Sequence, residues 1–218
     1  MGGGWVVALL LVGIAFILYR FLSKPSDLYG LDHMVLNLAD PPLWLNMGLW
    51  GKPEKRAGSF TDAARAMTEA VGRAARLENT KVLLDVGYGC GEQDLFWAGC
   101  HPHLRIIGAT LEETQSFVAR RRVAGAGLDD RVQLACFSAD NVPQLVAKFQ
   151  NGDFGRSEGP PDSVIALDCA YHFNTRDRFL RSIFATLPAG SQTYDIYAPI
   201  SHFSIHRGIA RNGRHHSG

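Results

Sequence analysis

Residues 82–93 read Val82-Leu83-Leu84-Asp85-Val86-Gly87-Tyr88-Gly89-Cys90-Gly91-Glu92-Gln93, an apolar run that ends in three glycines at alternate positions. An apolar run that ends at glycine predicts a buried parallel strand entering a tight loop. Glycines in such a loop allow the backbone to approach a ligand that a β-carbon would keep at a distance. The spacing differs from that of the dinucleotide-binding loop, in which two residues separate the second glycine from the third. The stretch therefore predicts a ligand-binding loop at the end of a central strand, although glycine-rich turns also follow strands in other α/β proteins.

The size and composition of the chain predict one folded α/β domain. A chain of 218 residues has room for a sizeable core in one domain but not in two. The formal net charge of +1 gives no reason to expect a nucleic-acid partner. The cysteines lack the paired spacing of a zinc site, so we expect reduced thiols in a cytosol-facing domain and no bound metal. They are Cys90, Cys100, Cys136 and Cys169.

The first 24 residues predict a membrane anchor. Every residue from Trp5 to Tyr19 is apolar, aromatic or glycine, and the run reaches a spanning length of about 17–18 residues when Arg20 snorkels to the interface. The alternative is a cleaved signal peptide, but no basic residue precedes the run and no small-residue cleavage site follows it. Arg20 and Lys24 place the C-terminal side in the cytosol. We therefore expect a single-pass anchor at 1–24, in the endoplasmic reticulum, with a cytosolic domain behind it.

Strand and helix patterns alternate along the rest of the chain. The predicted strands are Lys81–Val86, Leu104–Gly108, Arg131–Phe137, Ser163–Leu167 and Gln192–Tyr197. The predicted helices run from Thr61 to Glu78, through Leu95–Trp97, from Leu111 to Ala124, through Leu145–Phe149 and from Arg176 to Leu187. Because no hairpin signal joins the strands, the pattern predicts a doubly wound, mainly parallel α/β sheet. Ligands bind such sheets at the carboxyl ends of the strands, where the strand order reverses.

Short motifs follow the second and third predicted strands at the end where a ligand would bind. The second strand runs into Thr110-Leu111, with Gln115 four positions later, and Ser138-Ala139-Asp140-Asn141 follows the third. Together with the glycine loop, this ordered set resembles class I S-adenosylmethionine-dependent methyltransferases. The first motif is similar to the branch that contains cyclopropane fatty acid synthases and sterol methyltransferases. The resemblance implies a Rossmann-like fold, an S-adenosyl-L-methionine cofactor, and methyl transfer to a lipid or small hydrophobic acceptor.

The resemblance also implies a set of cofactor-binding residues. Asp85, held ionised by backbone N–H donors, would orient the glycine loop. Thr110 and Gln115 would border the ribose and adenine; alternatively, Thr110 caps the next helix and Gln115 lies on its solvated face. Asp140 would accept the adenine amino group, and this motif also suits a helix N-cap. The implied set is Asp85, Gly87, Tyr88, Gly89, Cys90, Gly91, Thr110, Leu111, Gln115, Ala139, Asp140, Asn141 and Asp168, with the role of Glu112 undecided.

The fourth predicted strand ends in Asp168-Cys169-Ala170-Tyr171-His172-Phe173. By resemblance, this loop flanks the sulfonium and lines the acceptor pocket. His172 is the candidate general base because its unperturbed pKa lies near neutrality, although a histidine between aromatic residues also suits a packed wall. Tyr171 and Phe173 predict an aromatic wall, since a sulfonium cation is attracted to ring faces. We therefore expect His172 and Tyr171 to be the catalytic residues.

An aromatic segment precedes the first predicted helix. Leu43–Trp50 resembles the lid that closes over the cofactor in lipid and natural-product methyltransferases, although its aromatic residues also suit a membrane-interface belt or a core. The predicted organisation is a membrane anchor at 1–24, a linker and lid at 25–60, a methyltransferase domain at 61–198 and a tail at 199–218.

The chain departs from the family after the fifth predicted strand. Members continue with a further helix and an antiparallel strand pair, which complete the sheet and half of the acceptor pocket. Residues 199–218 have no amphipathic period, so they predict a disordered extension and a chain truncated after its fifth strand. A fifth strand without a neighbour would expose a sheet edge to a protein partner. The alternative function is therefore a non-catalytic module that binds cofactor or a protein partner.

Overall fold

The computed structural model describes residues 43–51, 57–170, 173, 176–188, 192–197 and 204–209. The predicted anchor at 1–24 lies outside these ranges, as does the first part of the predicted linker. No helix within them combines the length and the apolarity needed to cross a membrane.

Helices and strands alternate through the described residues, as the sequence predicts. The helices are α1 (Phe60–Ala74), α2 (Glu92–Cys100), α3 (Glu113–Gly125), α4 (Val142–Asn151) and α5 (Arg176–Thr186). The strands are β1 (Val82–Val86), β2 (Arg105–Thr110), β3 (Val132–Cys136), β4 (Ser163–Leu167), β5 (Gln192–Tyr197) and β6 (Ser204–Ile209). A short 3₁₀ turn, Ala139–Asn141, leads into α4. The first helix begins one residue before the predicted start, because the Ser59 hydroxyl caps it by accepting a hydrogen bond from the Asp62 amide.

The strands form one sheet in the order β3-β2-β1-β4-β5-β6. The first five strands are parallel, which confirms the doubly wound arrangement that the sequence predicts. The chain runs outward from β1 to β2 and β3, then returns to the other side of β1 with β4. The strand order therefore reverses between β1 and β4, and the glycine loop follows β1 at this reversal.

Two apolar layers hold the helices against the sheet. One layer packs Met67 and Val71 of α1, Trp97 of α2 and Ala119 of α3 against one face. The other layer packs α4 and α5, including Phe149, against the opposite face. Both faces of β1 and β4 are covered, and every residue of these two strands is buried. This explains why both strands consist of nearly continuous apolar residues.

The sheet continues beyond its predicted last strand. Ser204–Ile209 pairs antiparallel with β5, in a register that aligns Gln192 with Ile209 and Tyr197 with Ser204. The prediction of a disordered extension is therefore wrong for these six residues, and β5 is not the exposed edge that was expected to receive a protein partner. The physical reason is that the free N–H and C=O groups along β5 provide hydrogen-bond partners even for a strand with a weak sequence pattern.

Candidate functional site

A cavity of about 360 Å³ opens at the carboxyl ends of the central strands. Its wall combines Gly87 after β1, Thr110 at the end of β2, Asp140 after β3 and Asp168 after β4. The predicted strand-end residues therefore meet at one site, although they are far apart in sequence. The parallel arrangement brings them together, because every parallel strand ends at the same edge of the sheet.

The glycine loop forms one wall of the cavity with its backbone. Gly87 and Gly89 have positive φ angles of 80° and 60°, which favour glycine. A β-carbon on Gly87 would lie 2.5 Å from the Cys169 sulfur, and one on Gly89 would lie 2.6 Å from a methyl carbon of Leu45. Side chains are therefore excluded at both positions, and a ligand in the cavity would meet bare backbone.

Only part of the loop backbone is available to a ligand. The Gly87 amide donates to the Ala109 carbonyl over 2.7 Å, and the Gly91 amide donates to the Tyr88 carbonyl over 3.1 Å. The loop amides without a backbone partner among the described residues are those of Tyr88, Gly89 and Cys90. Donation to a bound ligand is therefore expected from the middle of the loop rather than from its two ends.

Asp85 lies behind this wall rather than in it. Its side chain is fully buried, and its Oδ2 accepts a hydrogen bond of 2.6 Å from the side-chain amide of Gln93, which does line the cavity. Burial raises the pKa of Asp85 to about 7, against the lowering effects of Gln93 and Asp94. The prediction that backbone N–H donors hold Asp85 ionised is therefore wrong. Its hydrogen-bond donor is the side chain of Gln93, and desolvation by burial has the largest effect on its pKa.

Asp94 forms a second buried carboxyl beside Asp85. Its side chain is fully buried on α2, and neither oxygen has a hydrogen-bond partner of good geometry within the described part of the chain. The pKa of Asp94 lies well above its usual range because of burial and the neighbouring Asp85 charge. Two buried carboxyls this close cannot both ionise cheaply, so the pair retains a proton at neutral pH.

Besides Asp85, three predicted cofactor residues do not line the cavity. The Cys90 carbonyl accepts a hydrogen bond of 2.9 Å from Arg122, and Cys90 itself is buried. Gly91 packs against Ala119 of α3, whose β-carbon would lie 2.9 Å from one added at Gly91. Asn141 caps α4, with its side-chain oxygen accepting from the Gln144 amide. The last two residues of the glycine motif, Cys90 and Gly91, therefore contact α3 instead of lining the cavity.

Tyr88 contributes its backbone to the site but directs its side chain into the core. Its hydroxyl lies 2.9 Å from the Ser116 hydroxyl and 3.1 Å from the Ala135 carbonyl oxygen. These hydrogen bonds join the glycine loop to α3 and β3. The side chain therefore stabilises the loop rather than contacting a ligand.

The end of β2 supplies a polar group and an apolar group to the cavity. Thr110 and Gln115 are both buried, and the Thr110 hydroxyl donates to the Gln115 side-chain oxygen over 3.3 Å. Leu111 also lines the cavity, yet 67% of its surface is exposed. Glu112, whose role the sequence left undecided, lines the cavity beside them. The alternative that Gln115 lies on a solvated helix face is wrong, because that side chain is 7% exposed.

The turn after β3 provides the next part of the wall. Ser138, Ala139 and Asp140 line the cavity together with Phe137. The Ser138 hydroxyl caps the turn by accepting a hydrogen bond from the Asp140 amide over 3.2 Å. The backbone of Asp140 is therefore fixed while its carboxylate stays exposed to the cavity mouth.

The end of β4 carries an unusual backbone conformation. Asp168 has a φ angle of 55°, which costs a residue other than glycine on the order of 1 kcal/mol or more. Its carboxylate accepts a hydrogen bond of 2.7 Å from the Met47 amide.

Phe173, predicted as an aromatic wall residue, lines the cavity and packs edge-on against Phe179 of α5. The predicted catalytic residues Tyr171 and His172 lie outside the described residues.

The aromatic segment closes the remaining side of the cavity. Residues Leu43, Trp44, Leu45, Asn46 and Met47 all line it. Two carboxylates hold the two ends of this stretch, because the Leu43 amide donates to Glu92 over 2.9 Å and the Met47 amide donates to Asp168. Asn46 fixes the middle by donating to Thr68 of α1 over 3.2 Å. The segment therefore occupies the position expected of a lid.

Sequence reasoning missed several residues that line the site. They are Val86, Glu92, Gln93, Ala109, Phe137, Ser138 and Leu167. Glu92 forms an ion pair with Arg122 of α3, and this pair fixes the carboxylate that holds the Leu43 amide. The only signal for Glu92 and Gln93 was their position in the first turn of the helix after the loop.

Comparison with known proteins relates the chain to methyltransferases. No family model matches the sequence. The chain is 28% identical to erythromycin 3''-O-methyltransferase of Saccharopolyspora erythraea over 67% of its length and 43% of that protein's. It spans about half the length of the curated relatives it matches.

Two solved structures share the architecture. The [4+2]-cyclase SpnF superposes with a TM-score of 0.62 and 23% identity, over 76% of this chain and 56% of SpnF. Coclaurine N-methyltransferase, bound to N-methylheliamine and SAH, gives a TM-score of 0.54 and 14% identity, over 70% of this chain and 40% of that one. The chain therefore shares the α/β fold of these two proteins, one of which is a methyltransferase, as the broad resemblance of the sequence implies. The finer resemblance to the sterol and cyclopropane branch stays a prediction.

Proposed function

We propose that the chain is an S-adenosylmethionine-dependent methyltransferase whose acceptor is a lipid or another small hydrophobic molecule. The observation that carries this proposal is the cavity at the reversal of strand order, walled by the bare backbone of Gly87 and Gly89 and bordered by polar residues from β2 and β3. The similarity to an O-methyltransferase supports a hydroxyl as the acceptor group.

The residues of the cavity fit the cofactor. An adenosyl group needs acceptors for its ribose hydroxyls and for its exocyclic amine, and the carboxylates of Glu112 and Asp140 provide them at neighbouring strand ends. The middle amides of the glycine loop suit the amino acid part. Leu111 and Ala139 supply apolar surface to the same region of the wall.

The protein's own contribution to the reaction is positioning and the exclusion of water. The cofactor supplies a methyl group that is already activated by its bond to a sulfonium sulfur. The lid stretch covers the cavity with Trp44 and Leu45, and the Glu92 and Asp168 carboxylates hold that stretch by its backbone. Holding two reactants in line within a dry site provides most of the rate enhancement such a transfer needs. We propose that His172 accepts the proton of the acceptor hydroxyl and that Tyr171 belongs to the aromatic wall.

Apolar groups at the mouth of the cavity support a hydrophobic acceptor. Met47 and Leu111 both line the cavity, and they are 49% and 67% exposed. Exposed apolar side chains at the rim of a site favour contact with an apolar ligand. The predicted anchor at 1–24 leads to the same proposal, since a site tethered to a membrane would take its acceptor from the bilayer. The membrane expected from the sequence is that of the endoplasmic reticulum.

A non-catalytic or differently reactive protein is the second candidate. The fold similarity to a [4+2]-cyclase favours it, because this architecture also serves a protein named for another reaction. A module that binds a protein partner along β5 is less favoured, because β6 covers that edge.

Methyl transfer tests the proposal. We expect the full chain, incubated with methyl-labelled S-adenosylmethionine and a crude lipid extract, to move label into an organic-soluble product. Heat-denatured protein provides the background. Label that stays in the aqueous phase, from a chain that nevertheless binds the donor, would contradict the hydrophobic acceptor and favour the second candidate.

A further inference from the structure

One arginine outside the cavity wall contacts two of the elements that form the wall. Arg122 lies in the last turn of α3, and its Nη1 donates a hydrogen bond of 2.9 Å to the Cys90 carbonyl at the end of the glycine loop. Its Nη2 forms an ion pair with Oε2 of Glu92. The same carboxylate oxygen accepts a hydrogen bond of 2.9 Å from the Leu43 amide. A single guanidinium therefore joins the glycine loop to the beginning of the lid stretch, residues 43–47.

A guanidinium suits this double contact. Its planar fork presents several N–H donors in fixed directions, whereas the ammonium of a lysine is a single point charge on a flexible stem. The side chains of Arg122 and Glu92 are 21% and 16% exposed, so water and salt screen their attraction less than that of a surface pair. Glu92 also begins α2, where the helix dipole favours a negative charge. Arg122 therefore defines the position of the carboxylate that holds the lid.

We propose that Arg122 is a positioning residue for methyl transfer, because it fixes the lid and the glycine loop relative to each other from outside the cavity. This inference rests on the proposed function. Without the guanidinium, the Glu92 carboxylate can turn towards solvent, and the Leu43 amide loses its acceptor. The lid would then open at its first residues, and donor binding would have to supply the free energy of closing it. Reactants held less closely would also transfer the methyl group more slowly.

The other end of the lid stretch has attachments of its own. The Met47 amide donates to Asp168, and the Asn46 side chain donates to a threonine hydroxyl of α1 over 3.2 Å. Neither attachment involves Arg122, so its loss should loosen residues 43–45 and leave the far end of the stretch in place. This local effect distinguishes a positioning role from a general loss of stability, which would expose the sheet as well.

Four variants test the inference. Arg122→Gln removes the charge and the fork, whereas Arg122→Lys keeps the charge alone. Arg121→Gln is the matched control, since Arg121 is exposed on the same helix with its guanidinium 5.6 Å from the centre of the Phe117 ring. Glu92→Gln removes the other charge of the ion pair, and it forms a double-mutant cycle with Arg122→Gln.

Calorimetric titration of the full chain with S-adenosylhomocysteine measures the effect on binding. We expect Arg122→Gln to raise the dissociation constant roughly threefold to thirtyfold, Arg122→Lys to restore part of that loss, and Arg121→Gln to stay within about twofold of the wild type. Glu92→Gln should weaken binding less when Arg122→Gln is already present than in the wild type, because the ion pair is then already broken.

Amide hydrogen exchange of the same proteins without ligand measures the effect on the lid. We expect Arg122→Gln to accelerate exchange in the lid stretch and to leave the exchange of β1 and β4 unchanged. Arg121→Gln should leave all three regions as they are in the wild type.

The outcomes separate the two proposals. If the wild type binds the ligand and Arg122→Gln binds it equally well, the inference is overturned and the proposed function stands. Exchange that becomes faster in β1 and β4 by the same factor as in the lid stretch would overturn the inference as well, because Arg122 would then only stabilise the fold. If the wild type binds neither S-adenosylhomocysteine nor S-adenosylmethionine, the proposed function fails, and the inference fails with it.

Discussion

Gly89→Arg raises the dissociation constant for S-adenosylmethionine by about 100-fold or more, which corresponds to a loss of about 2.7 kcal/mol. Gly89 has a φ angle of 60°, and a β-carbon there would lie 2.6 Å from a methyl carbon of Leu45. The longer arginine side chain has to displace the lid stretch or enter the cavity, and its positive charge repels the cationic donor. The measurement is calorimetric titration of the variant with the donor.

Gly99→Arg is the matched control for this variant. Gly99 lies in α2, where an added β-carbon meets no atom within 4 Å. The same change of residue and charge should therefore leave binding within about twofold of the wild type. Melting temperatures of both variants verify that the fold is retained. Donor binding by Gly89→Arg at the wild-type affinity would show that the ligand site is elsewhere.

Asp94→Asn raises the free energy of unfolding at pH 8 by on the order of 2 kcal/mol and changes it little at pH 4. The pKa values of Asp85 and Asp94 are raised in the native state. Above the ordinary pKa of an aspartic acid, the unfolded chain has therefore released protons that the native state still holds. The stability that the pair provides is therefore complete at low pH. It decreases as the pH rises from about 4 through the native pKa of about 7 for Asp85. Each proton that the native state retains lowers the free energy of unfolding by about 1.4 kcal/mol for every unit that the pH rises.

The asparagine removes one of the two interacting carboxyls. Its amide can donate to Asp85 Oδ1, which has no hydrogen-bond partner among the described residues. Asp85 can then ionise at lower cost, with Gln93 and the new amide as donors. Urea unfolding at several pH values between 4 and 8 measures the effect, and Asp129→Asn serves as an exposed control. A variant that is less stable than the wild type at pH 8 would refute the shared-proton pair.

Most of the sheet could be predicted from the chain because its strands obey one physical rule. A strand covered on both faces is expected to be almost continuously apolar, and the sequences of β1 and β4 show this with one polar residue each, Asp85 and Ser163. The meeting of Thr110, Asp140 and Asp168 at one cavity follows from the same topology. A parallel sheet brings the ends of its strands to one edge, so the sequence order of the motifs is enough to place them.

The sixth strand could not be predicted for an equally physical reason. Ser204–Ile209 contains polar, basic and glycine residues and lacks a regular alternation. Its pairing with β5 uses backbone groups, which every residue except proline supplies in full. A hydrophobic pattern predicts which residues are buried. It says little about a strand that pairs through its backbone with the edge strand of a sheet.

The pattern of the glycine motif could not show which of its residues line the cavity. Cys90 and Gly91 belong to the same motif as Gly87 and Gly89, yet the chain turns into α2 between them and directs the last two residues to α3. The buried carboxyl pair was hidden for a related reason. Asp85 lies in β1 and Asp94 lies on α2, and only the packing of α2 on the sheet brings them together.

The most direct measurement is a crystal structure of the full chain grown with S-adenosylhomocysteine. The nucleoside should lie in the cavity, with its amino acid part against Gly89, its ribose hydroxyls at Glu112 and its adenine amine at Asp140. Density for the ligand at any other place, or a cavity filled by Leu45 and its neighbours while the ligand is excluded, would contradict the assignment of this site.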